Sequence, residues 1–204
     1  MRRLGTISGM AVMCLTVATL AQDAGRQGPP PGRQGGGGGG GGRGPQGPTI
    51  TTLAGDVQND LDRTRELVLN LVEAMPDDKF GFKPTPAQQS FGERAMHIAQ
   101  ADQFILGTLG GKAPAPKINA QAATKADILA ALRQLYDWET ALMKEFSDQQ
   151  LVERVMPPAF LGTSASRARI FYYSLQHTED IYGQLVVYLR LNGVTPPASR
   201  RGGV

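Results

Sequence analysis

The stretch SASRARIFYYSLQHTEDIYGQLVVYLRLNG, residues 164–193, decides the fold class of this chain. Apolar side chains recur along it at spacings of three and four residues, which is the repeat of one face of an α-helix. The innermost line of that face also carries two polar residues, and it reads Ile170, Ser174, His177, Ile181, Leu185 and Tyr188. Gly193 follows the last apolar residue and is typical of a helix end. The pattern predicts a long helix over residues 164–192 with His177 turned towards a core.

Three earlier segments, residues 52–75, 90–109 and 125–146, show the same helical spacing. Ser90 opens a capping box with the glutamate three residues later, and Thr124 is the expected N-cap of the third helix. No segment alternates apolar and polar residues over the length of a strand. Four such helices predict an all-α four-helix bundle. The connections after the first and second helices are longer than tight antiparallel hairpins require, so the order of the helices in the bundle stays open.

The N-terminal residues 1–21 have the features of a secretory signal peptide. Two arginines precede an uncharged apolar run, and the small residues Thr19 and Ala21 stand before a cut at Gln22. We therefore expect an exported protein, periplasmic or extracellular, that keeps no stable membrane span after cleavage. The only cysteine, Cys14, would be removed with this segment, so the mature chain would have neither a disulfide nor a thiol nucleophile.

Between the signal peptide and the first helix, residues 22–48 are dominated by glycine, proline and arginine, with eight consecutive glycines. Almost none of this segment could be buried, so its composition predicts a disordered linker. The expected helical domain therefore spans residues 49–199, and residues 200–204 are expected to form a flexible tail.

The net charge of +3 comes from the segments outside the expected domain. Seven basic residues and one acidic residue lie outside 49–199, which leaves 14 basic and 17 acidic residues, a net charge of −3, within it. A mildly acidic domain argues against a nucleic-acid partner. We expect a small molecule or another protein as the partner, and a homodimer is compatible with the sequence.

The candidate chemistry depends on the only two histidines, His97 and His177. His97 lies in the second predicted helix and His177 on the inner line of the fourth, so they could meet inside a bundle, where metal sites are built from facing helices. A buried histidine on an apolar face more commonly just finds a hydrogen-bond partner. Two ligands are also one fewer than the usual three of a catalytic zinc site. Both interpretations stay open at this point.

Two stretches, FKPTPAQQSFGERAMHIAQAD (residues 82–102) and HTEDIYGQLVVYLRLNGVTPPAS (residues 177–199), resemble the DinB-like family of bacterial four-helix-bundle proteins. The resemblance extends over about residues 49–199. It implies a divalent metal held by one histidine of the second helix and by two of the fourth, spaced H-x-x-x-H. His97 and His177 match the first two positions, while the third falls on Ile181. It also implies activities such as thiol transfer, thiol-dependent isomerisation or hydrolase-like chemistry.

Ile181 separates two functional hypotheses. Isoleucine has no lone pair, so the first hypothesis is an exported, non-catalytic binding or structural module with no cofactor or with a weakly bound zinc or nickel ion. The second is a metal-dependent enzyme, hydrolase-like or thiol-transferase-like, in which the Asp180 carboxylate joins His97 and His177 as a substitute ligand. Export would disfavour thiol transfer, because an oxidising compartment does not keep small thiols reduced. We favour the first hypothesis because one of three ligands is replaced by a hydrophobic residue.

Overall fold

A computed structural model describes residues 52–200 of the chain. The predicted signal peptide, the predicted linker and residues 201–204 of the predicted tail lie outside the described residues. Five α-helices are present within them: α1 (Leu53–Ala74), α2 (Phe91–Leu106), α3 (Lys125–Met143), α4 (Asp148–Val152) and α5 (Arg167–Leu191). The four long helices, α1, α2, α3 and α5, confirm the predicted all-α bundle.

The connection between α3 and α5 contains structure that the sequence pattern did not predict. The single-turn helix α4 lies there, followed by an antiparallel pair of two-residue strands, β1 (Arg154–Val155) and β2 (Ala165–Ser166). Because β2 occupies residues 165 and 166, α5 begins at residue 167 rather than at the predicted 164. Ser166 is its N-cap, and the Ser166 hydroxyl accepts a hydrogen bond from the Arg169 amide.

The start of α2 confirms the capping box predicted from the sequence. The Ser90 hydroxyl accepts from the Glu93 amide at 3.2 Å, and the Glu93 carboxylate accepts from the Ser90 amide at 2.6 Å. Thr124 caps α3 in the predicted way, with its hydroxyl accepting from the Asp127 amide. These bonds satisfy amide groups that have no partner within the first turn of a helix, so both helix starts are fixed by local sequence.

Each long helix packs along two others, and the pairing does not follow chain order. α1 packs against α3 and α5, and α2 packs against the same two helices, so consecutive helices α1 and α2 occupy opposite corners of the bundle. α3 begins beside the end of α1, where Lys125 Nζ donates to the Met75 carbonyl oxygen at 3.0 Å, and these two helices are therefore antiparallel. α2 and α5 are antiparallel as well, because Gln89 meets Tyr188 beyond the start of α2.

α2 and α3 are neighbours that run in the same direction, with Gly92 lying against Ile128 near their starts. A short turn cannot join parallel neighbours, so the intervening segment, residues 107–124, has to return along the bundle. It does so beside α2, where Gln103 Nε2 donates to the Pro116 carbonyl oxygen at 2.6 Å. The long connection noted in the sequence is thus the physical requirement of this helix order.

The core lies between the four long helices and consists mainly of fully buried aliphatic and aromatic side chains, including Val57, Leu71, Ile98, Leu132, Leu135, Ile170, Phe171 and Leu185. Burying one such side chain stabilises the fold by about 1.5–3 kcal/mol. Trp138 is also buried, and its Nε1 donates to the Ala113 carbonyl oxygen at 3.0 Å, which ties the returning segment to α3. Within residues 52–200 there is no helix with the length and apolar character that crossing a bilayer requires.

Candidate functional site

The structure brings the two histidines of the chain together. His97 of α2 and His177 of α5 have ring centroids 5.3 Å apart, and the ring planes meet at 69° in an edge-to-face arrangement. Both side chains are partly exposed, and that of His177 keeps 22% of its accessible surface. The pair therefore lies between the antiparallel helices at a place that a solute can reach.

Asp102 is the buried partner of this pair and was not predicted from the sequence. It is only 2% exposed, and its Oδ1 lies 3.4 Å from His177 Nδ1. Its other oxygen, Oδ2, accepts a hydrogen bond from the Thr178 hydroxyl. Within the described residues neither Asp102 Oδ1 nor His177 Nδ1 has a hydrogen-bond partner, so the carboxylate and the ring are close neighbours without a direct hydrogen bond. A signal for Asp102 did exist, because it stands between Ile98 and Ile105 at helical spacing on an apolar face.

Two further polar residues are buried on α3 near Asp102. Tyr136 and Glu139 are both almost fully buried, and neither the Tyr136 hydroxyl nor Glu139 Oε1 has a hydrogen-bond partner within the described residues. Burial raises the pKa of Glu139 well above its ordinary value, and the negative charge of Asp102 raises it further. Burial therefore favours the neutral, protonated form of Glu139 in the folded protein, since an interior carboxylate without a partner costs several kcal/mol.

The pKa of His97 is lowered from its ordinary value of 6.5. Burial is the largest cause, and electrostatic repulsion by His177 and Arg94 lowers the pKa further, while Asp102 acts in the opposite direction. The His97 imidazole is consequently neutral near pH 7, which is the form that can bind a metal or accept a hydrogen bond.

The positions that decide whether a metal fits are Ile181 and Asp180. Ile181 is 1% exposed and belongs to the hydrophobic core. Asp180 is exposed, and its carboxylate accepts a hydrogen bond from Gln184 Nε2 at 2.9 Å. Over the stretch from residue 52 to residue 200, no group of three or more His, Cys, Asp or Glu side chains is arranged to hold a metal ion. The site thus offers two imidazoles with an apolar third side, which does not fit a three-nitrogen centre, and Asp180 as a ligand stays a prediction.

The architecture and the histidine pair define a class of helical-bundle proteins with a candidate binding site between the antiparallel helices α2 and α5. The sequence profile of the DinB superfamily matches residues 60–185, more than half of the chain, and the chain therefore belongs to the DinB superfamily. The resemblance deduced from the sequence is confirmed.

Individual relatives are distant. The uncharacterized protein YjoA of Bacillus subtilis (strain 168) is 21% identical over 131 residues, covering 64% of this chain and 85% of that protein. Among solved structures, a DinB-like protein from Bacillus cereus ATCC 10987 has a TM-score of 0.62 at 19% identity, covering 73% of this chain and 98% of the other. YfiT from Bacillus subtilis, described as a probable metal-dependent hydrolase with an unusual four-helix bundle topology, has a TM-score of 0.56 at 16% identity, covering 73% and 93%. At these identities the structural likeness demonstrates the shared fold alone.

Proposed function

We propose that this protein is a DinB-superfamily bundle with an incomplete metal centre that serves as a binding or structural module and not as a catalyst. One observation carries the proposal. Ile181, one helical turn after His177, is buried in the hydrophobic core at the position where the family resemblance implies the third imidazole. A divalent ion held by His97 and His177 alone would lack the third protein ligand of a typical catalytic zinc site.

A second function is favoured by a different observation, the position of the Asp102 carboxylate 3.4 Å from His177 Nδ1. A carboxylate that faces Nδ1 is the usual outer partner of a metal-binding histidine, since it fixes the ring and makes it a better ligand. On this alternative the protein is a metal-dependent enzyme, hydrolase-like as YfiT is described, with Asp180 as the third ligand. Asp180 would have to give up its hydrogen bond with Gln184 in order to take that position.

Calorimetric titration of the purified protein with zinc and with nickel at pH 7 separates the two functions. The wild type should show no tight, stoichiometric binding, whereas Ile181→His should gain it because three imidazoles then converge. Leu185→His is the matched control, since it also places an imidazole at a buried position of α5, one turn further along, without completing the site. Tight binding by the wild type that is lost in Asp180→Ala would contradict the module and support the enzyme.

We also propose that the protein is exported and that the mature chain begins at Gln22. The charged start, the apolar run and the small residues before Gln22 support this. Intact mass of the protein recovered from an expressing bacterium should lack the first 21 residues, and a full-length chain extracted from membranes would contradict export. Sedimentation of the same material tests the homodimer that the sequence allows.

A further inference from the structure

A cleft next to His97 carries a charge that the candidate metal centre does not use. It has a volume of about 440 Å³ and is lined by residues from the start of α2, the loop before it and α5: Gln88, Gln89, Arg94, His97, Gln184 and Tyr188. This volume lies in the usual range of small-molecule sites. The only fully charged side chain in the lining is Arg94.

The charge of Arg94 is not neutralised by the protein. Its Nε and Nη2 donate to Gln184 Oε1 at 2.9 and 2.6 Å, and its Nη1 donates to Gln89 Oε1 at 3.1 Å, so both acceptors are neutral amide oxygens. Among residues 52–200, no carboxylate oxygen lies within salt-bridge distance of the guanidinium. The nearby acids are engaged elsewhere, Glu93 with Ser90 and Asp180 with Gln184. The cleft therefore presents a single positive charge.

The Arg94 guanidinium is also held in a fixed orientation, and its bonds to the protein do not use all of its N–H donors. Two glutamines from different parts of the chain hold it, and Tyr188 braces one of them by donating from its hydroxyl to the Gln89 carbonyl oxygen at 2.9 Å. An arginine has five N–H donors, and the three bonds to Gln184 and Gln89 leave two of them. A carboxylate can accept two parallel N–H bonds from one guanidinium, which makes it the natural complement of such a group.

We propose that this cleft is a binding site for a small organic carboxylate, with Arg94 as the residue that binds the carboxylate group. The single positive charge of Arg94 in the lining favours a monoanion over a more highly charged ligand. The side-chain NH2 groups of Gln88 and Gln89 in the lining suit a ligand that carries a hydroxyl or carbonyl group besides its carboxylate. The assignment rests on the proposed role as a binding module and names the class of ligand that the module takes.

The test is a titration of the ¹⁵N-labelled full chain with sodium benzoate in the presence of a chelator, followed by NMR. Benzoate should shift the Arg94 Nε–H and Gln184 side-chain resonances, while benzamide, which has the same shape without the charge, should not. Phosphate should bind at least tenfold more weakly than benzoate. No shift at Arg94 with benzoate, equal shifts with benzamide, or tighter binding of phosphate would each overturn the assignment.

Substitutions of Arg94 test whether benzoate binds in this cleft. Arg94→Gln should weaken benzoate binding at least tenfold, and Arg94→Lys, which keeps the charge but loses the fork of donors, should fall between it and the wild type. Arg133→Gln is the matched control, because Arg133 is an exposed arginine of α3 paired with Glu73. The wild-type titration is decisive by itself if an Arg94 variant does not fold. If benzoate does not bind and zinc binds weakly, only the proposed class of ligand is refuted. If zinc binds tightly to the wild type, the proposed role as a binding module is refuted, with or without benzoate binding.

Discussion

Replacing Glu139 by glutamine should stabilise the protein relative to the wild type, and this advantage should grow as the pH rises above 4.5. The folded protein holds a proton on this buried acid, because burial and the charge of Asp102 raise its pKa well above the ordinary value of 4.5, against a smaller opposing effect of Arg65. The unfolded chain releases the same proton near the ordinary value. The stability that Glu139 contributes is therefore fully present below pH 4.5 and is lost as the pH rises towards the folded pKa.

The magnitude follows from proton linkage. Between the unfolded and folded pKa values of Glu139, the wild type loses about 1.4 kcal/mol of unfolding free energy for each pH unit. Glutamine has nearly the same shape and no proton to lose, so Glu139→Gln escapes this loss. The difference in unfolding free energy between variant and wild type should grow in favour of the variant by about 1.4 kcal/mol for each pH unit between those two pKa values.

Urea unfolding monitored by circular dichroism at pH 4.5, 5, 5.5 and 6 measures this difference. Glu179→Gln serves as the control, because Glu179 is an exposed acid of α5 and its variant should follow the wild-type curve at every pH. If the curves of Glu139→Gln and the wild type run parallel over this range, Glu139 does not hold a proton in the core.

Three further substitutions test the packing around the site. Ile181→Ala should lower the unfolding free energy by about 2–5 kcal/mol in thermal or urea unfolding, because it opens a cavity in the core. Leu191→Ala, at an exposed position of the same helix, is the control and should change the unfolding free energy by less than about 0.5 kcal/mol. Trp138→Phe should cost at least about 1 kcal/mol, because it leaves the Ala113 carbonyl oxygen without its donor, and an unchanged urea midpoint would contradict this. Ser90→Ala should cost about 1 kcal/mol through loss of the capping box, and a glycine at the same position should restore part of it.

The parts of the fold that could be predicted from the sequence are those determined by neighbours in the chain. Helical spacing and cap chemistry act over three or four residues, so the long helices and the caps at Ser90 and Thr124 were recoverable. The inward direction of His97 and His177 followed from the same spacing, which is why their meeting could be anticipated.

The partners of the buried acids could not be predicted, even where helical spacing indicated an inward position as it does for Asp102, because those partners lie far away in the chain. Asp102 and Thr178 are 76 positions apart, and they meet only after α2 and α5 have packed. In the sequence alone, an acid on a helix predicts a solvated side chain. The hydrogen bonds from Arg94 to Gln184 could not be predicted for the same reason, since Gln184 lies 90 positions further along the chain.

The placement of α1 and α2 at opposite corners affects how the protein can fold while it is being synthesised. α1 emerges from the ribosome first, yet both of its packing partners, α3 and α5, come later, and α5 ends at Leu191. At ordinary translation rates the interval between the end of α1 and the end of α5 is about 6–23 seconds. An isolated helix with an apolar face is marginally stable in water, so the side of nascent α1 that packs on α5 stays open to chaperones throughout that interval. α2 and α3 can pair earlier, but the core around Val57 and Leu71 closes only when α5 arrives.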